Sequence, residues 1–152
     1  MSPTRSDSDE AYVLALCDEI LGAVGQRQQT FDFLRGDSRE GRSGRRLPVD
    51  AYYSSLHLVV EYRERQHTEA VALFDNRLTV TGVSRGDQRK LYDQRRREIL
   101  PQHGIDVVEV SFSDLAHDAK KRLLRDRSAD LVVLNRILGK TQQTTQKSHR
   151  SP

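Results

Sequence analysis

The chain has 152 residues, 36% of them hydrophobic and 31% charged, which is typical of one globular domain with a polar surface. No apolar run approaches the roughly 20 residues that a bilayer span requires, and the first ten residues lack the apolar stretch of a secretory signal. We therefore expect a cytoplasmic protein with no membrane partner. Cys17 is the single cysteine, which excludes an intramolecular disulfide and a cysteine-rich zinc site.

The formal net charge of +3 comes mostly from arginine. Arginine suits phosphate recognition because its planar fork matches phosphate oxygens. A GC-rich genome produces the same bias without any functional meaning. The charge alone therefore neither requires nor excludes a nucleic-acid partner.

The N-terminal part of the chain begins with a predicted helix. Ser8 is a typical N-cap, since its hydroxyl can accept a hydrogen bond from a free backbone amide. The apolar residues that follow recur every three or four positions and predict one buried stripe, formed by Val13, Leu16, Cys17, Ile20, Leu21 and Val24. Residues 31–34 are a short strand candidate, and residues 36–46 predict a mobile loop rich in glycine, serine and arginine.

Two β-rich runs follow at residues 48–53 and 56–62, with Ser54 and Ser55 between them. Short runs of β-branched and aromatic residues around a brief polar break are typical of an antiparallel hairpin. Residues 63–87 carry only weak signals of secondary structure.

The C-terminal half predicts two further helices and a strand. Asp87 is expected to cap a basic helix at residues 88–100, and a strand follows at 105–112. A last helical region, capped by Ser113 or Asp114, is expected to carry Leu115, Ala119, Leu123 and Leu124, with residues 131–138 continuing it or forming a separate helix.

The order of helix, strand, hairpin, helix, strand and helix predicts an α/β fold, with helices on the faces of a mixed sheet. We expect a single domain over residues 9–138. Residues 1–8 are predicted to be a disordered N-terminus and residues 139–152 a disordered tail, because both segments are polar.

Asp50 and Glu61 lie on the two arms of the predicted hairpin. Side chains alternate faces along a strand, so Glu61 shares a face with Val59 and Arg63. A two-residue turn would place Asp50 diagonal to Glu61, and a four-residue turn would place it directly opposite. In either register both carboxylates lie on one face, within roughly 5 to 8 Å of each other. A three-residue turn would separate them.

Two carboxylates at that distance repel each other unless a cation lies between them, and hard oxygen ligands favour Mg²⁺ or Mn²⁺ over zinc. Such a metal would orient and acidify a water and offset the charge that develops on a phosphodiester. We therefore expect a phosphoryl-transfer site with Asp50 and Glu61 as metal ligands and Arg63 as the neighbouring cation. An exposed acidic strand face is the alternative, but Glu61 ends an apolar run, which makes plain exposure less natural.

The segment 48–67, PVDAYYSSLHLVVEYRERQH, resembles the core of the PD-(D/E)XK nucleases, in the branch around very-short-patch-repair endonucleases and related uncharacterised bacterial proteins. Asp50, Glu61 and His67 fall on the positions of that pattern. The family's basic helix, glycine turn and final core strand are matched downstream by Asp93, Arg96, Leu100, Gly104 and the strand VVEV. The resemblance implies a restriction-endonuclease-like fold, a divalent metal and cleavage of DNA.

The sequence departs from the family pattern after Glu61. Arg63 occupies the place of the signature lysine, and because arginine stays protonated it can stabilise a phosphate transition state but cannot act as a general base. His67 is the best candidate for proton transfer, since histidine titrates near neutrality. A histidine that only hydrogen-bonds within its turn is the alternative. Glu64 could be a further ligand but is more typical of a solvated surface acid.

Three further acids bear on the predicted site. In related folds the first helix often adds an acid to the metal site, so Glu19 is a weak candidate and Asp18 a weaker one. Glu109 stands where relatives often have arginine, and we expect it to form a salt bridge with the basic helix, at Arg96.

Arginines on two segments could bind phosphate groups on either side of the carboxylates. They are Arg42, Arg45 and Arg46 in the loop before Asp50, and Arg89 and Arg97 on the basic helix. The loop is the stronger candidate because it immediately precedes the first carboxylate. Aromatic residues spaced for base stacking are not evident in either segment.

The first hypothesis is therefore a Mg²⁺- or Mn²⁺-dependent endonuclease that hydrolyses DNA phosphodiesters. The second is the same fold without catalysis, as a module that binds DNA or a protein partner. A third is an interaction protein whose basic helix docks a partner. Because cutting both strands commonly needs two active sites, a homodimer is a further expectation.

Overall fold

The computed structural model describes residues 8–37, 44–64 and 85–149, with side chains for all of these except 85–86 and 140–149. The elements in this part of the chain are α1 (Asp9–Leu21), β1 (Gln26–Gln29), β2 (Val49–Tyr53), β3 (Leu58–Arg63), α2 (Arg85–Gln102), β4 (Asp106–Ser111) and α3 (Arg127–His149). None of the described helices combines the length and the apolar character needed to cross a bilayer.

The four strands form one mixed sheet in the order β1-β2-β3-β4. β2 is antiparallel to both β1 and β3, whereas β3 and β4 are parallel. Parallel neighbours need a crossover connection, and α2 lies in the connection between β3 and β4. The predicted α/β architecture, with a hairpin in a mixed sheet flanked by helices, is confirmed.

The two faces of the sheet bury separate hydrophobic clusters. On β3, Val60 and Tyr62 pack in the cluster that includes residues of α1 and α3, whereas Val59 packs in the cluster that includes Leu100 of α2. Successive strand side chains point to opposite faces. Glu61 follows the same alternation as Val59 and so lies on the α2 face.

Helix α1 begins as its sequence predicts. The Ser8 hydroxyl accepts a 3.0 Å hydrogen bond from the backbone amide of Ala11. Gly22, with φ of 66°, ends the helix in the left-handed conformation that glycine adopts without strain. Val24 lies beyond this end and is 84% exposed, so its predicted place in the buried stripe was wrong.

The first strand does not lie where the apolar residues predict it. β1 is the polar segment Gln26–Gln29, which is a strand because its backbone pairs with β2. The prediction of a strand at residues 31–34 was wrong. The amide of Leu34 donates to the carbonyl of Phe31 in a turn, and the rings of Phe31 and Phe33 stack 5.1 Å apart.

The predicted caps of the later helices were also wrong. Helix α2 begins at Arg85, so Asp87 lies inside its first turn. After β4, Ser111 caps a short 3₁₀ turn at Phe112–Asp114, and no helix follows until α3. The Asp118 carboxylate accepts hydrogen bonds from the amides of Lys120 and Arg122, which favours a turn in place of the predicted helix.

The region from residue 131 to 138 is helical within α3, as predicted. The same helix continues to His149, past Gly139, the first residue of the predicted tail.

Candidate functional site

The hairpin brings Asp50 and Glu61 to neighbouring positions. Four residues connect β2 and β3: the 3₁₀ turn Ser54–Leu56, and His57 in the left-handed conformation with φ of 49°. This even-numbered connection pairs Ala51 with Val60, and its continuation places Asp50 opposite Glu61. The hairpin therefore has a four-residue connection, the alternative that places Asp50 directly opposite Glu61.

At this position the carboxylates of Asp50 and Glu61 accept hydrogen bonds from backbone amides that would otherwise pair with backbone carbonyls between β2 and β3. The backbone amide of Asp50 donates a 2.8 Å hydrogen bond to Glu61 Oε2. In return, the amide of Tyr62 donates a 2.8 Å hydrogen bond to Asp50 Oδ2. The backbone pairing of β2 with β3 runs from Tyr53 to Ala51 and stops there. One oxygen of each carboxylate is thus fixed by the neighbouring strand.

Glu61 is buried, with 2% of its surface exposed. Burial raises the pKa of Glu61 well above the ordinary glutamate value, and the nearby Asp50 carboxylate raises it further. The guanidinium of Arg96 opposes this effect only in part. The buried Glu61 carboxylate, beside the half-buried Asp50 carboxylate, therefore favours a bound cation or a proton.

Arg96 of α2 is the basic residue that contacts Glu61. Its Nε lies 3.3 Å from Glu61 Oε1 and donates a 3.2 Å hydrogen bond to the carbonyl of Pro48. Its Nη1 lies 3.0 Å from Oδ1 of Asp93, one helical turn earlier. Arg96 thus connects the start of β2, the end of β3 and helix α2.

Arg63 lies on the same face but is already paired with two acids. Its guanidinium is 3.0 Å from Asp93 and 3.3 Å from Glu109 on β4, and its side chain is 24% exposed. A phosphate group would have to compete with both carboxylates for this arginine. Glu109 also pairs with Arg97 at 3.3 Å. The predicted salt bridge from Glu109 to the basic helix is therefore present, but the expectation that Arg96 forms it was wrong.

The acids of helix α1 lie elsewhere. Asp18 accepts hydrogen bonds from Tyr53, Arg27 and the amide of Gly25. Glu19 pairs with Arg127 of α3. The contacts described for these two acids join α1 to the strands and to α3, not to Asp50 or Glu61.

Two of the predicted site residues, His67 and Arg42, lie outside the described residues. Glu64, at the end of β3, is exposed, as expected for a surface acid. Arg45 is exposed, and no described carboxylate lies within ion-pairing distance of it. Arg46 pairs with Asp32.

On the basic helix, Arg89 is exposed, and Arg97 is 51% exposed although it contacts Glu109. Sequence reasoning did not identify Arg96 as the partner of Glu61. The one local signal was the spacing of Asp93 and Arg96, which are neighbours on a helix surface.

A magnesium-type ion needs fewer protein ligands than a closed, all-protein metal site provides. Mg²⁺ usually keeps several waters and takes one or two carboxylates together with substrate phosphate. Asp50 and Glu61 supply two such carboxylates. Over residues 8–37, 44–64 and 85–149, no group of three or more acidic, histidine or cysteine side chains is arranged to hold a metal ion.

Comparison of the chain with protein-family models, with curated proteins and with solved structures gave no match.

Proposed function

We propose that this protein is a divalent-metal-dependent endonuclease of the PD-(D/E)XK type that hydrolyses DNA phosphodiester bonds. The observation that carries the proposal is the position of Asp50 and Glu61, which face each other across the hairpin and exchange hydrogen bonds with the facing backbone. Two metal-binding carboxylates on one hairpin would need neighbouring positions of this kind.

The order of elements supports the proposal. The resemblance implies an acid before a turn, an apolar strand that ends in glutamate, a basic helix, a glycine turn and a final core strand. In the structure Asp50 lies on β2, Glu61 near the end of β3, and α2 leads through Gly104, with φ of 76°, into β4. The restriction-endonuclease-like fold itself is part of the proposal.

In this proposal Asp50 and Glu61 hold Mg²⁺ or Mn²⁺, which supplies an activated water and charge stabilisation at the phosphodiester. Arg63 lies on the same face, within reach of the phosphate only if it leaves Asp93 or Glu109. His67 is the proposed proton-transfer group. A cytoplasmic location, expected from the sequence, also belongs to the proposal. So does a homodimer, because cutting both strands commonly needs two active sites.

The second candidate is a module of the same architecture that binds DNA or a protein partner without catalysis. The ion pair between Arg96 and the buried Glu61 favours it, because a carboxylate neutralised by arginine needs no metal. Metal-dependent nicking of DNA distinguishes the two candidates.

The test is calorimetric titration of Mn²⁺ into the wild type and the isosteric variants Asp50→Asn and Glu61→Gln, followed by plasmid nicking. Glu98→Gln is the matched control, since Glu98 is exposed on α2 and bonds only to Gln94 among the described residues. The proposal predicts one Mn²⁺ site and metal-dependent nicking in the wild type and in Glu98→Gln. Both should be lost in Asp50→Asn and Glu61→Gln.

Titrations that show no Mn²⁺ binding to the wild type would exclude the metal-dependent nuclease. Mn²⁺ binding without nicking of any DNA would favour the binding module. Because the pKa of Glu61 is raised, protons compete with a cation for this carboxylate, so Mn²⁺ affinity should increase with pH.

A further inference from the structure

Arg96 is surrounded by oxygen atoms next to the carboxylate pair. A backbone carbonyl and two carboxylates approach its guanidinium, from Pro48, Asp93 and Glu61. Only 15% of its side chain is exposed. Carbonyl and carboxylate oxygens are also the ligands that a hard divalent cation prefers. The guanidinium therefore holds positive charge beside the place where a metal would bind.

We infer that Arg96 is an internal counter-ion of the Asp50–Glu61 site, which neutralises Glu61 in the metal-free protein and competes with a divalent cation for that carboxylate. The inference rests on the proposed metal centre. It makes Arg96 a positioning residue that sets metal affinity, since it acts through Glu61 and not on a substrate.

The ionic contacts around the site separate Arg96 from the other arginines. Arg63 pairs with Asp93 and Glu109, and Arg97 pairs with Glu109. Among the basic side chains that the structure describes, Arg96 alone lies within ion-pairing distance of Glu61. Arg96 also pairs with Asp93, but Asp93 keeps Arg63 as a partner when the charge of Arg96 is removed, whereas Glu61 then has no described ion-pair partner. Removing the charge of Arg97 leaves the partner of Glu61 in place.

The direction of the effect follows from charge. Without Arg96, Glu61 attracts any cation more strongly, and protons and metal ions both compete for it. A divalent ion carries twice the charge of a proton, so the lost repulsion from the guanidinium favours the metal more than it favours the proton. Metal affinity should rise even where Glu61 binds a proton in the metal-free variant.

The test is calorimetric titration of Mn²⁺ at pH 8.5 into the wild type, Arg96→Met and Arg96→Lys, with Arg97→Met as the matched control one position away. We expect Arg96→Met to bind Mn²⁺ about tenfold more tightly than the wild type. Arg96→Lys should be intermediate, about threefold tighter, because an ammonium keeps the positive charge but cannot contact Glu61, Asp93 and the Pro48 carbonyl together as the planar guanidinium does. Arg97→Met should bind as the wild type does.

Thermal unfolding gives a second readout that needs no activity. In EDTA, Arg96→Met should unfold at a lower temperature than the wild type, because Glu61 loses its partner. Saturating Mn²⁺ should raise the unfolding temperature of Arg96→Met by more than it raises that of the wild type. A residue that only joins α2 to the sheet would lower stability equally with and without the metal.

The two proposals fail in different ways. If Mn²⁺ binds the wild type, and Asp50→Asn abolishes this binding, but Arg96→Met binds no more tightly, then the Arg96 inference is overturned while the metal centre stands. If no Mn²⁺ binds to the wild type or to either Arg96 variant, both are overturned. Should Arg96→Met not fold, the comparison of Arg96→Lys with the wild type decides in the same way.

Discussion

The hydroxyl of Tyr53, on β2, donates a 2.6 Å hydrogen bond to Asp18 Oδ1, on α1. Burial acts to raise the pKa of Asp18, but hydrogen bonds from Arg27, Tyr53 and the amide of Gly25 outweigh it, so the pKa lies below the ordinary aspartate value. A carboxyl with a lowered pKa in the folded state stabilises the fold above its unfolded pKa. That stability is lost as the pH falls through the folded value.

Tyr53→Phe is therefore expected to lower the free energy of unfolding at pH 7 by about 1 kcal/mol. The difference from the wild type should shrink as the pH falls below the ordinary aspartate pKa of about 4 and through the lower pKa of Asp18 in the folded protein. Urea unfolding between pH 2 and pH 7 measures the loss of unfolding free energy at pH 7 and its dependence on pH. Tyr52→Phe is the matched control, because no described hydrogen bond involves the Tyr52 hydroxyl. An equal loss at pH 7 in both variants would contradict the prediction.

Gly25 allows the Tyr53 ring to approach the chain after α1. A methyl group at Gly25 would lie 2.7 Å from Tyr53 Cζ, which is shorter than a van der Waals contact between two carbon atoms. Gly25→Ala should lower the free energy of unfolding by about 1 to 3 kcal/mol through overpacking. Gly139→Ala should do the opposite, by about 0.5 to 1 kcal/mol, since that helical position has open space around it. Thermal or urea unfolding of the two variants tests the contrast in sign.

His57 closes the connection between β2 and β3 with a positive φ of 49°, a conformation that costs a non-glycine residue energy. His57→Gly should raise the free energy of unfolding by up to about 1 kcal/mol, because glycine adopts this conformation without strain. Ser55→Gly, in the 3₁₀ turn of the same connection, should lower it. Urea unfolding would contradict the prediction if both substitutions shifted stability in the same direction.

Arg45 bears on the proposed DNA surface because it is exposed and lacks a described ionic partner. If DNA is the substrate, Arg45→Gln should weaken binding and reduce the slope of log affinity against log salt by about 1. Arg122→Gln is the control, since Arg122 is exposed but pairs with Asp118. Fluorescence anisotropy with a labelled duplex across a salt series measures both slopes. If the slopes for Arg45→Gln and the wild type are identical, Arg45 does not contact DNA phosphate and is not part of the proposed DNA-binding surface.

The hairpin, β4 and the first helix could be predicted from the sequence because their own residues carry the signal. Short β-rich runs, a polar break and an N-cap serine are local features. The position of β1 could not be predicted, because Gln26–Gln29 has no apolar alternation and owes its strand conformation to pairing with β2. The turn after β4 was missed because Leu115 and Leu123, which lie at helical spacing, pack in the core without forming a helix, whereas Leu124 of the same predicted helix is exposed.

The candidate site, like the fold, could be predicted only in part. The neighbouring positions of Asp50 and Glu61 follow from strand periodicity once the connection has an even number of residues. The ion-pair partner of Glu61 does not follow from strand periodicity. The way α2 packs on the sheet decides whether Arg63 or Arg96 pairs with Glu61. Arg63 is two residues from Glu61 in the sequence, yet it pairs with Asp93 and Glu109.

The hydrogen bonds that Asp50 and Glu61 exchange with the facing backbone also fix the register of β2 against β3. A slip of one residue in the hairpin would turn Glu61 to the opposite face and leave two amides without acceptors. Alanine at either position would therefore disturb the sheet as well as any chemistry. Asparagine and glutamine keep an acceptor oxygen, so the loss of charge can be measured while the two strands stay aligned.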